Sequence, residues 1–120
     1  METEALTVLV KKDPRWTVKP SQVRRIAKVI LAEEGYRLGI LSIMLVGKRK
    51  ARGLNIKWRG QDYIPQVLAF PASEQAMVTK SLGDVVLCLP LLREEAVRKN
   101  SCWETILEDW LRHGIKSLKK

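Results

Sequence analysis

The chain has 120 residues, 46% of them apolar, and carries 22 Lys and Arg against 13 Asp and Glu, a formal charge of +9. This length suits one domain over residues 1–120 and excludes two large ones; roughly two-thirds of the unfolded surface can be buried, so folding needs neither a disulfide nor a structural metal. No apolar run reaches the about 18 residues that cross a bilayer, and METEALTVLV opens acidic, unlike a secretory leader, so a cytoplasmic address without a membrane partner is expected.

In chain order, the partly β-branched run ALTVLV (5–10) predicts a first strand, and KKDPRW breaks it into a basic loop that carries Trp16. Beyond Pro20, Ser21 is placed to cap a helix in which Val23, Ile26, Ala27 and Ile30 repeat at helical spacing, Arg24 and Lys28 take the other side, and Gly35 ends the run. LSIMLV (41–46) predicts a buried strand. Lys48–Trp58 predicts a helix weakened at Gly53 by about 1 kcal/mol relative to Ala. QVLAF between Pro65 and Pro71 is too short for a helix and reads as a strand, LGDVVLCL as another, and PASEQAMVTKS as the connection between them, with Pro90 expected to stop the last strand.

The remainder predicts a short helix over Leu92–Lys99 and a longer one opened by a capping box of Ser101 and Glu104. Trp103, Ile106, Leu107, Trp110, Leu111 and Leu118 fall mainly on one face of the longer helix, a core stripe. The order strand, helix, strand, helix, strand, strand, helix, helix, without internal repeats, favours an α+β layered domain. Cys88 and Cys102 lack CxxC spacing and read as reduced thiols.

Charge is unevenly placed. Residues 1–60 hold 14 Lys and Arg against 5 Asp and Glu, and residues 61–120 hold 8 against 8, so the whole excess lies in the first half. Clustered cations favour a phosphate backbone through counterion release, although a solvated surface or an anionic membrane would also suit them. Gly-rich phosphate loops, nucleophile elbows and HExxH motifs are absent from the sequence. His113 is the single histidine, so one copy of the chain cannot make a three-histidine site; beside Gly114 it suits a helix cap as well as chemistry. Asp84, after Gly83 at the head of an apolar strand, suits a turn or a functional carboxylate, and Arg59 before Gly60 could donate a forked pair of hydrogen bonds to phosphate.

Taken together, Asn55-Ile56-Lys57-Trp58-Arg59-Gly60-Gln61-Asp62, Val67-Leu68-Ala69-Phe70-Pro71, Leu82-Gly83-Asp84-Val85-Val86 and His113-Gly114 resemble, in order and spacing, the YbeY family of rRNA-maturation endoribonucleases. The resemblance covers nearly the whole chain. It implies an α+β fold, a small mixed sheet of about four strands packed by about four helices. It also implies cleavage of single-stranded RNA in ribosomal RNA maturation and ribosome quality control, with zinc held by three histidines in an HGxxHxxxxxH pattern. Arg59 matches the arginine proposed to engage RNA phosphate, Asp84 the LGD aspartate and His113 the first metal histidine, which implies Arg59 as electrostatic residue, His113 as acid–base group or metal contact, and Asp84 as orienting carboxylate.

The chain departs from the pattern at three places. Ser117 stands at the second ligand position, the third would fall beyond Lys120, and the family's TDVLSF segment appears as Pro65-Gln66-Val67-Leu68-Ala69-Phe70. Zinc is thus expected from the family, but not tightly bound by this chain, because serine is a poor substitute for imidazole. The implied RNA-binding residues are Arg24, Arg25, Lys28, Lys57 and Arg59, with single-stranded or ribosomal RNA and ribosomal proteins as partners. A non-catalytic RNA- or ribosome-binding module is the second reading, and a protein-interaction domain using the tryptophan-bearing surface the third.

Overall fold

The computed structural model describes residues 5–73 and 80–119. Among the described residues there are four strands, β1 (Leu6–Lys11), β2 (Gly39–Val46), β3 (Val67–Pro71) and β4 (Ser81–Cys88), and four helices, α1 (Pro20–Glu33), α2 (Lys48–Arg59), α3 (Leu89–Arg98) and α4 (Trp103–Ser117), in the chain order β1-α1-β2-α2-β3-β4-α3-α4. The sheet order is β1-β2-β4-β3, with β1–β2 and β2–β4 parallel and β3–β4 antiparallel. The α+β class and the mixed sheet are those expected from the sequence. Residues 74–79 of the expected connection lie outside the described residues.

Strand alternation divides the sheet into two faces. Val8, Leu41, Ile43, Leu45, Val85 and Leu87 point into the main core, where they meet Val23, Ala27, Ile30 and Leu31 of α1, Leu92 of α3 and Ile106, Leu107, Trp110, Leu111 and Ile115 of α4. Val46, Leu68, Val86 and Cys88 point the other way, toward α2 and its buried Ala51. The stripe on the last helix is therefore core, as its spacing predicts, with Trp103 half-buried at its start.

Helix ends explain the boundary differences. Pro20 occupies the first turn of α1 after an uncapped Lys19, so Ser21 is inside the helix rather than its cap. The helix closes on Gly35 at φ 91°, with Tyr36 N–H donating to the Leu31 carbonyl at 2.9 Å. Pro90 opens α3 instead of ending a strand, its missing N–H being harmless in a first turn. Asn100, at φ 51°, takes the left-handed position that ends α3. Cys102, not Ser101, is the N-cap of α4, and it makes no capping hydrogen bond from its side chain; the expected box is not formed.

Helix α2 is continuous to Arg59 despite Gly53. Its first turn holds Lys48, Arg49 and Lys50 and no acidic residue, against the helix dipole. Each such exposed cation costs about 0.3–1 kcal/mol. Among the described residues no helix is long and apolar enough to cross a membrane. Cys88 is buried, Cys102 exposed, and neither is bonded to the other.

Candidate nucleic-acid interface

Arg59 is the last residue of α2, and the chain turns immediately beyond it. Gly60 adopts φ 68°, its N–H donates to the Ile56 carbonyl at 3.0 Å, and Gln61 N–H donates to the Asn55 carbonyl at 3.3 Å. The following loop is held at two points. Arg52 Nε donates to Asp62 Oδ1 at 2.7 Å, an ion pair that holds the Asp62 carboxyl below its ordinary range. Asn55, fully buried one turn before Arg59, donates through Nδ2 to the Tyr63 carbonyl at 3.1 Å. Its Oδ1 lies 3.4 Å from Arg59 Nη1, which also lies 3.4 Å from Tyr63 Oη. The guanidinium is thus braced on one side and open on the other.

His113 arrives from α4. Gly114 beside it lets the helix lie close on the sheet: a Cβ there would meet Val85 Cγ1 at 2.8 Å and Val67 Cγ1 at 3.2 Å. This close approach brings His113 to the start of the edge strand β3. Arg59, Tyr63, Ile64, Pro65, Gln66, Val67 and His113 line one open cleft of about 420 Å³. Two candidates from distant parts of the sequence share it. It offers a fork of donors and an imidazole to a bound strand, with Tyr63, about half exposed, at the lip.

Asp84 is elsewhere. Val85 faces α4, so Asp84, its neighbour in the strand, projects from the opposite face, into a separate hollow of about 340 Å³ with Met44, Leu54, Trp58, Phe70 and Val86. The sheet stands between it and His113, a geometry that does not support the orienting role the resemblance implies. Trp58 meets Phe70 edge-on there at 6.4 Å, and Lys57 Nζ sits 5.1 Å from the Trp58 ring centre. Arg24, Arg25 and Lys28 lie on α1, which packs on β1, the edge of the sheet opposite β3; they do not line the cleft.

The described residues do not form a zinc set. His113 is the one imidazole, and Ser117 Oγ donates to the His113 carbonyl at 3.0 Å, turned back onto its own helix. Among the described residues no three His, Cys, Asp or Glu side chains gather to hold a metal. The sequence alone gives no role to Asn55 or Tyr63. The available signal was a polar residue at helical spacing between buried Ala51 and Arg59, a position that demands a hydrogen-bond partner.

The family model described as Endoribonuclease YbeY matches residues 10–118. The chain belongs to the YbeY family. It is 36% identical over 110 residues to an Endoribonuclease YbeY of Anaeromyxobacter sp., covering 92% of this chain and 57% of that protein. It is 31% identical to the Endoribonuclease YbeY of Chromobacterium violaceum, covering 95% and 68% respectively. The chain therefore spans less than two thirds of the Anaeromyxobacter YbeY. The solution structure of TM1509 from Thermotoga maritima matches the fold with a TM-score of 0.66 at 23% identity, over 95% of this chain and 73% of that one.

Proposed function

We propose that this YbeY-family chain acts in RNA processing, holding single-stranded RNA, ribosomal RNA above all, in the cleft between the end of α2 and the His113 turn of α4. The observation that carries the reading is the meeting of Arg59 and His113 in one open cleft of a protein whose charge is +9. Arg59 is the phosphate contact: its planar fork matches two phosphate oxygens, and a charge fixed there stabilises the extra negative charge of a phosphodiester under attack. His113 is the group placed to accept or donate the proton of an RNA hydroxyl. Cytoplasmic ribosomal particles, with their RNA and proteins, are the setting in which such a surface would work.

A second reading, an RNA- or ribosome-binding module without cleavage, is favoured by Ser117, whose hydroxyl binds the helix backbone where the family pattern has a zinc histidine. The deciding experiment is incubation of end-labelled single-stranded RNA with nuclease-free protein, with zinc or a chelator, beside His113→Ala. Cleavage lost in His113→Ala supports the enzyme. RNA retained uncut supports the module, and neither binding nor cleavage contradicts both.

A further inference from the structure

Another hollow is larger than the Arg59 cleft. It has about 760 Å³ and lies where β1 and β2 end, between the loop after β1 and the first turn of α2. Lys11, Lys12, Arg15, Lys48, Arg49 and Lys50 line it against one carboxylate, Asp13. The surplus is five; Glu94 outside the hollow pairs with Lys48 at 2.6 Å and leaves four. Among the described residues Lys11, Lys12, Arg49 and Lys50 make no ion pair.

The loop wall is already organised. Asp13 accepts three hydrogen bonds from Arg15, and Lys12 Nζ donates to the Trp16 carbonyl at 2.8 Å. A ligand therefore meets Lys12 already held in place, which lowers the ordering cost of binding it. This hollow also continues. It shares Lys48 and Arg49 with a second one of about 360 Å³ along α2, which meets the Arg59 cleft at Ile64. Along the 12 residues of α2 this makes a groove about 18 Å long.

We infer that the groove is a single RNA-strand track, with the Lys11–Lys50 hollow as an anchoring site for phosphates well away from Arg59. Its concave, elongated form fits a strand rather than a flat bilayer, and half-buried Trp16 at its far end supplies an aromatic wall. The inference rests on the RNA reading above and extends it from one cleft to the length of a helix.

The test compares oligoribonucleotides of roughly 4 and roughly 12 nucleotides by fluorescence anisotropy over a salt series. The Arg49→Gln/Lys50→Gln protein is expected to lose about tenfold in affinity for the longer strand and to keep its affinity for the shorter one. Its slope of log affinity against log salt should be shallower by about 1.4, about 0.7 per phosphate contact. Removing two cations from the first turn of α2 should hold or raise the Tm, so lost affinity will not reflect unfolding; Lys11→Glu, on the other wall, checks the same hollow independently. A double variant equal to the parent on the longer strand overturns the track and leaves the Arg59 cleft standing. An Arg59→Ala protein that binds normally while the double variant is weakened would instead remove the cleft and keep the anchor. A parent protein that ignores RNA, or prefers phosphatidylserine vesicles, overturns both.

Discussion

Asn55 links the fold to the candidate site more directly than any other single residue. Its amide is fully buried, yet it holds the Tyr63 carbonyl and backs the Arg59 guanidinium. Asn55→Ala should cost about 1–3 kcal/mol, because the Tyr63 carbonyl loses its donor. Urea unfolding will measure that loss, and RNA affinity should fall with it as Arg59 loses its brace. The two cysteines differ in the same local way. Burial raises the Cys88 thiol, whereas hydrogen bonding to Thr105, 3.1 Å away, lowers that of exposed Cys102. At neutral pH the lowered thiol holds the larger thiolate fraction, and thiolate is the reactive form. Iodoacetamide should therefore modify Cys102 alone in the native protein and both after denaturation, as read by peptide mass spectrometry.

At the scale of elements, two glycines in helices have opposite meanings. Gly114 is where α4 touches β3 and β4, and the methyl of Gly114→Ala would press on Val85 and Val67. Overpacking of this kind costs about 1–3 kcal/mol, and tilting α4 away would carry His113 out of the cleft. Gly53 faces open space in the middle of α2. Gly53→Ala should stabilise the protein by up to about 1 kcal/mol. Opposite shifts of the two urea midpoints will confirm the assignment; equal shifts would contradict the close approach of α4. Helix α2 itself is not arranged for stability. Three cations sit at its positive end and only Ala51 and Asn55 are buried, an arrangement suited to presenting charge to a polyanion.

For the whole molecule, element order and core were legible because apolar periodicity reports burial directly: the α4 stripe and the run LSIMLV both became core. Helix starts were less legible, since Pro20 and Pro90 punctuate a sequence without saying which side they belong to, and both open helices. Within the site, the family motifs named Arg59, Asp84 and His113, but no local pattern tells which sheet face α4 will cover. That choice, fixed by Gly114 against Val85, brings His113 into the cleft that Arg59 lines and leaves Asp84 on the other side of the sheet. The positive charge of the first half of the chain is likewise visible in the sequence, while its division between α1 and the α2 groove appears only in the folded chain.

The central claim is that Arg59 binds RNA phosphate in the cleft it shares with His113. It is tested most directly by titrating fluorescent single-stranded RNA with the parent protein and Arg59→Ala at several salt concentrations. The account predicts affinity that falls as salt rises, about tenfold weaker binding by the variant, and a salt slope shallower by about 0.7. Identical affinity and slope for the two proteins would contradict it.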